Sequence, residues 1–352
     1  MLLLALCFNK TMDNKMKYVF FLVLLTTMAC TSTEEKISIR KSAEIIIGDS
    51  ADTGPAILGD IADYTIDEKS NVYVLDRAFK KIKMYDKEGV FVREYGKGEG
   101  RGPGEFIRPS SIDIDKKGNL YVVDMSKQDI TVYDSSNNVI RIFHPKYAPA
   151  KILVTEPGVF YILSFPFSHN QNLIHKYVLM KAPQDEMPIK MFGQRYSGAD
   201  SAVVNLTGAI GAIEHDKVGD LFYSYPFPYK IIKYDRQGSV RVAYTRSIND
   251  FTGPHRDSKN SMLIKSDNIV YDLILVNDSI IAARIFQDEK KKQFCDFYNI
   301  KDGKYIGTLG AERMGIEKSR KVKGNGSGYL YYECTNTFPH IKKVKIELVY
   351  EK

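Results

Sequence analysis

Four kinds of residue in this 352-residue chain could do chemistry: a glycine-rich run, six histidines, two pairs of close carboxylates and four cysteines. The run Gly96–Gly104 (GKGEGRGPG) holds no G-K-[ST] and in no register gives G-x-G-x-x-G. The residues after it favour a strand, so it lacks the helix that a phosphate cradle needs. The histidines (His144, His169, His175, His215, His255 and His340) stand singly, without the i, i+4 spacing by which a helix offers two imidazoles to one metal. No G-x-S-x-G elbow is present to expose a nucleophilic serine. The pairs Asp63/Asp67 and Asp113/Asp115 are of the right type for acid–base work or calcium, but no D-x-[DN]-x-[DN]-G loop surrounds them. Turn chemistry and the solvation of a channel account for them. Cys295 and Cys334 fall in strand-like runs and read as free buried thiols, with a disulfide as the alternative in an oxidising compartment. Linear motifs thus name no catalytic residue and no cofactor.

The elements that would have to position these residues are clearest in Gly102–Phe143. Four short apolar runs lie there, Ile112–Ile114, Leu120–Val123, Ile130–Tyr133 and Val139–Phe143, separated by small, charged or turn-forming residues. Such runs predict four strands joined by tight turns. One such sheet cannot bury both faces alone, so it must pack on something. The chain supplies copies. At an offset of 48 residues Ile66–Asp86 falls on Ile114–Asp134 with 10 of 21 positions identical, and the frame recurs at an offset of 101 through Asp216, Gly219, Leu221, Ile231, Tyr234 and Asp235. A period near 50 residues with four strands per unit is the signature of a β-propeller. Within the frame, Gly118, Gly219, Asn71 and Asn119 occupy turns between the first and second strands. Asp76 and Asp124 end the second strand, where a carboxylate accepts turn N–H groups.

The pattern GPGEF…P…IDID…GNLYVVD…I-x-V-Y-D resembles an NHL repeat, and the whole chain resembles secreted six-bladed propeller lipoproteins of the NHL-like and TolB-like kind. The resemblance implies an all-β ring of four-stranded antiparallel blades. Taken in order, the blades run from about 59 to 95, 106 to 143, 151 to 192, 206 to 245, 262 to 309 and 322 to 349. The third carries an insert around Phe165–Asn172, and the last is one strand short. Ile37–Ile47 is therefore expected to complete it and close the ring, since an unclosed ring leaves open edges. Some propeller enzymes, lactonases and amidating lyases among them, assemble a metal from single residues on several blades. The resemblance therefore leaves a divalent metal in the channel as the alternative to a non-catalytic module.

The amino terminus supplies an address. Lys15 and Lys17, the apolar run Tyr18–Leu25 and the small residues before Cys30 read as an export signal over residues 1–29, with 16–29 the effective part. The run is short for a membrane span. The segment LLTTMAC resembles a bacterial lipoprotein signal, which implies lipidation of Cys30, a tether over 30–36 and a propeller over 37–352. The expected site is the cell envelope, with the outer membrane as the anchor. Without residues 1–29 the chain carries 47 basic and 42 acidic residues, interspersed, for a net charge of +5. That balance and export together argue against nucleic acid.

Propeller topology puts the loops between strands two and three, and those between blades, on one rim, where loops carry function on a rigid scaffold. On that rim the sequence predicts Arg77, Phe79, Arg108, Phe167, His169, Tyr225, Tyr229 and Arg284, together with Phe165, Arg195, Phe227 and His255. Arginine and aromatic residues together favour interface anchoring. The expectation is a monomeric, lipid-anchored propeller that binds an envelope protein, peptide or glycan.

Overall fold

The computed structural model describes residues 36–48, 51–165, 172–179, 187–195, 211–225, 229–246, 255–256, 264–265, 269–287, 292–335 and 338–351. Six four-stranded sheets follow one another along the chain. Their innermost strands are Ile61–Ile66, Pro109–Ile114, Pro149–Glu156, Ala212–His215, Ile269–Asn277 and Val322–Gly324. From the first to the sixth each packs against the next, and Lys321 and Lys323 beside or on the last reach Asp63 on the first, so the six surround a common axis. Blades 1 to 5 take their four strands from continuous chain. Blade 6 has the order Val322–Gly324, Tyr329–Cys334, His340–Glu351 and then Lys36–Ile47, so the first strand of the chain is the outermost strand of the last blade. This is the closure expected from the missing strand. The fifth blade starts at Ile269 rather than near 262, because its connection first forms a separate two-stranded ladder, His255–Arg256 with Ile264–Lys265.

The apolar alternation of the repeat is explained by what lies between blades. Among the described residues six separate clusters of buried side chains occur, and each joins two neighbours in the ring. Leu75, Ile82 and Tyr95 of blade 1 meet Ile112, Leu120 and Val122 of blade 2. The blade 6 to blade 1 joint packs Tyr331 and Ile341 on Tyr64, Val72 and Val74. Ile37 of the clasp strand enters the cluster between blades 5 and 6 beside Ile274, Phe297 and Val344. Burying both faces of every sheet this way, at about 25 cal/mol per Å² of apolar surface, makes closure of the ring the main stabilising event.

The recurring aspartates do three different jobs. Asp76 accepts N–H groups from Gly59 (2.8 Å), Asp60 (3.2 Å) and Ala78 (3.0 Å), and Asp124 accepts from Ile107 (2.7 Å), Ser126 (2.9 Å) and Lys127 (3.0 Å). Each thus staples the turn after the second strand to the connection entering its blade. Asp67, Asp115 and Asp216 accept the N–H groups of the turn between strands one and two, and Asp86, Asp134 and Asp235 do so between strands three and four. Gly118 (φ +82°) and Gly219 (φ +82°) sit in those first turns in the left-handed region that favours glycine. The glycine-rich run is the connection from blade 1 to blade 2, where Gly98–Glu99 and Glu105–Phe106 pair as short parallel strands.

Candidate functional site

The six innermost strands enclose a channel cavity of about 580 Å³ that opens between the turns joining strands one and two. Its mouth carries Glu68, Lys116, Lys217 and Ser327, and its depth carries Asp63, Asp113, Lys151, Glu214, Lys321 and Lys323. A backbone irregularity helps to put charge there. In blades 1, 2, 3 and 5 the pairing of the innermost strand slips near its start, between Ile61 and Asp63, Pro109 and Ser111, Pro149 and Lys151, and Val270 and Asp272. A bulge at this point bends the strand and re-aims the following side chain. The residues after the slips, Asp63, Ser111, Lys151 and Asp272, all line the channel.

These groups are linked from blade to blade. Asp63 of blade 1 accepts from Ser111 Oγ (3.0 Å) and the Ile112 N–H (3.2 Å) of blade 2, and pairs with Lys321 and with Lys323 (3.4 Å) on blade 6. Burial alone would raise its carboxyl, but the two ammonium groups outweigh burial and hold it well below the carboxylate range. Asp113 of blade 2 accepts from Thr65 Oγ1 (2.7 Å) of blade 1 and the Val154 N–H (2.7 Å) of blade 3. Lys151 of blade 3 donates to the Gly211 carbonyl (2.7 Å) at the start of blade 4. Asp272 of blade 5 accepts the Val322 N–H (3.2 Å) of blade 6. The inner groups therefore act as spokes of the ring as well as a charged lining.

Lys151 and Glu214 are the members least satisfied by this network. Lys151 is half-buried and lines the channel. Burial and the neighbouring Lys321 push its ammonium down to about 8. Burial likewise raises the Glu214 carboxyl, whose one hydrogen bond among the described residues is from the N–H of His215 (2.9 Å). Lys323 moves the opposite way, because the attraction of Asp63, Asp113 and Glu214 exceeds the cost of burial. Among the described residues no three His, Cys, Asp or Glu are grouped so as to hold a metal ion.

The residues expected on the rim are scattered. Arg77 is half-exposed and held by Asp60 through Nε (2.9 Å) and a second nitrogen (2.7 Å). Phe79 is exposed with the Lys83 ammonium 4.0 Å over its ring. Arg108 is exposed, and its N–H belongs to the Asp124 staple. Tyr225 donates to the Gln194 carbonyl (2.6 Å) and lies edge-on to Tyr223. Two expectations need correction. Tyr229 is buried, with its hydroxyl on that of Tyr298 in blade 5, because it belongs to the apolar joint between blades 4 and 5. Arg284 is 2 % exposed in the middle of the strand Ile280–Gln287, where its guanidinium grips Asp272 through Nε and a terminal nitrogen, each at 2.7 Å. Its other donors go to the carbonyls of Ser319 (2.7 Å) and Arg320 (2.9 Å) and to Gln293 Oε1 (3.3 Å), so it is an interior brace. Cys30, Phe167, His169 and Phe227 lie outside the described residues, as does the side chain of His255. Cys295 is buried and Cys334 half-buried, and both are free.

The charged lining of the channel was missed in the sequence, apart from the pairs Asp63/Asp67 and Asp113/Asp115. The available signal was a charged residue at the start of an apolar first strand, recurring as Asp63, Lys151 and Asp272 once the blades are laid in register.

A profile of the family DUF5128, described as a 6-bladed beta-propeller, matches residues 57–321. No curated protein matches the chain by sequence. Among solved structures, a presumed exported protein of Bacteroides fragilis NCTC 9343 superposes with a TM-score of 0.62 at 12% identity, over 89% of this chain and 96% of the other. A member of the duf4221 family from Bacteroides vulgatus gives 0.59 at 8% identity, over 91% and 100%. The PQQ-bound aldose sugar dehydrogenase of Streptomyces coelicolor gives 0.53 at 11% identity, over 89% and 99%. At these identities the likeness is one of fold.

Proposed function

The chain belongs to this DUF5128 family of six-bladed propellers, and from that premise we propose that it is an exported, lipid-anchored binding module of the cell envelope that takes its ligand in the central channel. The observation that carries the reading is the cavity of about 580 Å³, lined by charged groups of both signs and walled by all six blades. A concave site of that size, on inner strands fixed by cross-blade hydrogen bonds, is pre-organised for a small ligand or for one unit of a larger one. Export and anchoring are supported by the apolar run Tyr18–Leu25 and by Cys30 after Ala29. The ligand is a glycan or peptide of the envelope, or a side chain presented by an envelope protein, and the module acts as a monomer.

The test compares the wild-type protein with a Glu68→Trp/Ser327→Trp variant, in which two exposed positions at the channel mouth become bulky. Soluble envelope glycans and peptides are added and thermal unfolding is followed by circular dichroism. A ligand at a hundred times its Kd stabilises by about 2.7 kcal/mol, a rise of roughly 5 °C for a domain of this size. The rise is expected in the wild type and absent in the variant. An equal rise in both would place binding elsewhere. A stoichiometric divalent ion that depends on channel residues would replace this reading with that of a channel enzyme. Palmitate labelling tests the anchor: a Cys30→Ser protein that still incorporates label would refute it.

A further inference from the structure

The channel is short of negative charge at one point. Three ammonium groups, those of Lys151, Lys321 and Lys323, line its depth, and among the described residues a single carboxylate, Asp63, is in ion-pair contact with any of them. Asp272 is taken by Arg284. Lys151 has one hydrogen-bond partner, the Gly211 carbonyl, and no ion pair among the described residues. An ammonium has three donors, so two of them remain for whatever enters the cavity. A partly buried cation without a counter-ion is less favourable than a paired one, and a ligand that brings the counter-ion recovers part of that cost on binding.

The surroundings limit the charge and type of such a ligand. Asp63 and Asp113 also face the cavity, so a dianion would meet repulsion that a single carboxylate avoids. The oxygens of Asp113 each accept one hydrogen bond and have a further lone pair, and Glu214 has one oxygen without a partner among the described residues. Carboxylates that only accept hydrogen bonds select for donors, and among compact monoanions a sugar acid carries the most of them, as hydroxyl groups. Resting on the reading of the channel as the binding site, we infer that it takes a carboxylated sugar, a uronate unit, with the carboxylate on Lys151 and the hydroxyls on Asp113 and Glu214.

The experiment is isothermal titration of the protein with D-galacturonate, D-galactose, inorganic phosphate and an N-acetylated trialanine with a free C-terminus. Wild type is compared with Lys151→Gln, which keeps a donor for Gly211 and loses the charge, and thermal unfolding confirms that the variant is folded. Galacturonate is expected to bind at least tenfold more tightly than galactose, and Lys151→Gln to weaken it tenfold or more. A second reading uses the wild type alone. Lys151 faces Lys321, Lys323, Asp63 and Asp272, burial and Lys321 place its proton loss near pH 8, and galacturonate affinity should therefore fall between pH 7 and pH 9. Equal binding of galactose and galacturonate, or an affinity indifferent both to Lys151→Gln and to pH, overturns the inference. Phosphate or the peptide binding in place of galacturonate overturns the sugar assignment and leaves the channel reading standing. If all four probes fail while envelope extract still stabilises the open-mouthed protein, the inference falls alone; if the extract fails too, both fall.

Discussion

Replacing Arg284 distinguishes a brace from a ligand-binding arginine. Its side chain is 2 % exposed, makes two 2.7 Å contacts with Asp272, and caps the carbonyls of Ser319 and Arg320 ahead of blade 6. Arg284→Met keeps most of the apolar volume but leaves the Asp272 carboxylate without its cation and two carbonyls without donors. Breaking one side of a buried ion pair costs about 3–5 kcal/mol, because the surviving charge is stranded. Asp272 also accepts the Val322 N–H, so the damage falls on the joint between blades 5 and 6. We expect Arg284→Met to lose about 4 kcal/mol in urea unfolding. Adding Asp272→Asn to it should recover about 2 kcal/mol of coupling in a double-mutant cycle. The chain has no tryptophan and 23 tyrosines, so unfolding is followed by far-ultraviolet circular dichroism and tyrosine fluorescence. A loss under about 1 kcal/mol, or a cycle without coupling, would refute the brace.

Three further outcomes follow from the geometry. His175 is fully buried, with Nδ1 2.9 Å from Ser164 Oγ and Nε2 3.1 Å from the Asn172 carbonyl, and burial pushes its pKa down to about 4. The unfolded chain takes up this proton below about pH 6.5 and the folded one only near 4, so stability present above pH 6.5 drains away between those values, by up to about 3 kcal/mol. His175→Gln should flatten that part of the pH profile, and parallel profiles would contradict the assignment. At Gly324 an added Cβ would run into the Leu275 carbonyl oxygen of blade 5, so Gly324→Ala should cost about 1–3 kcal/mol in a urea titration, and a neutral result would show that the joint can shift. Protein beginning after Gly48 lacks the outermost strand of blade 6 and exposes the edge of His340–Glu351. It should self-associate in sedimentation, and a stable monomer would argue against the clasp.

The ring was legible because its physics repeats. Leu75, Val122 and their counterparts face neighbouring blades and so recur in register, and Asp76 and Asp124 recur because the same turn needs the same acceptor. The charged part of the channel was less legible because it is built from one or two charged groups per blade, nearly 40 residues apart or more. Lys151 and Lys321 lie 170 positions apart, and the slip that helps to aim Lys151 is a matter of pairing register, which residue types do not record. Arg284 and Tyr229 were misplaced for related reasons. The second strand of blade 5 has eight residues instead of five, which puts Arg284 in mid-sheet, and Tyr229 was read as loop although its ring completes the joint with Tyr298. Arginine and tyrosine have the right chemistry for both interface and interior, and only burial separates the two.

The position of Lys36–Ile47 as the outer strand of blade 6 also bears on how the protein is made. That strand is synthesised before any blade, yet its partner His340–Glu351 comes from the far end of the chain, about 300 residues later. Blades 1 to 5 can form in sequence as they emerge, each from local hairpins, but the first strand must stay unpaired until the last is complete. A product that terminates early therefore keeps its leading strand loose and its final blade open, the state that quality-control proteases cut most readily. Closure doubles as a check on the ring: the strand made first is locked only in a molecule whose translation has passed His340–Glu351.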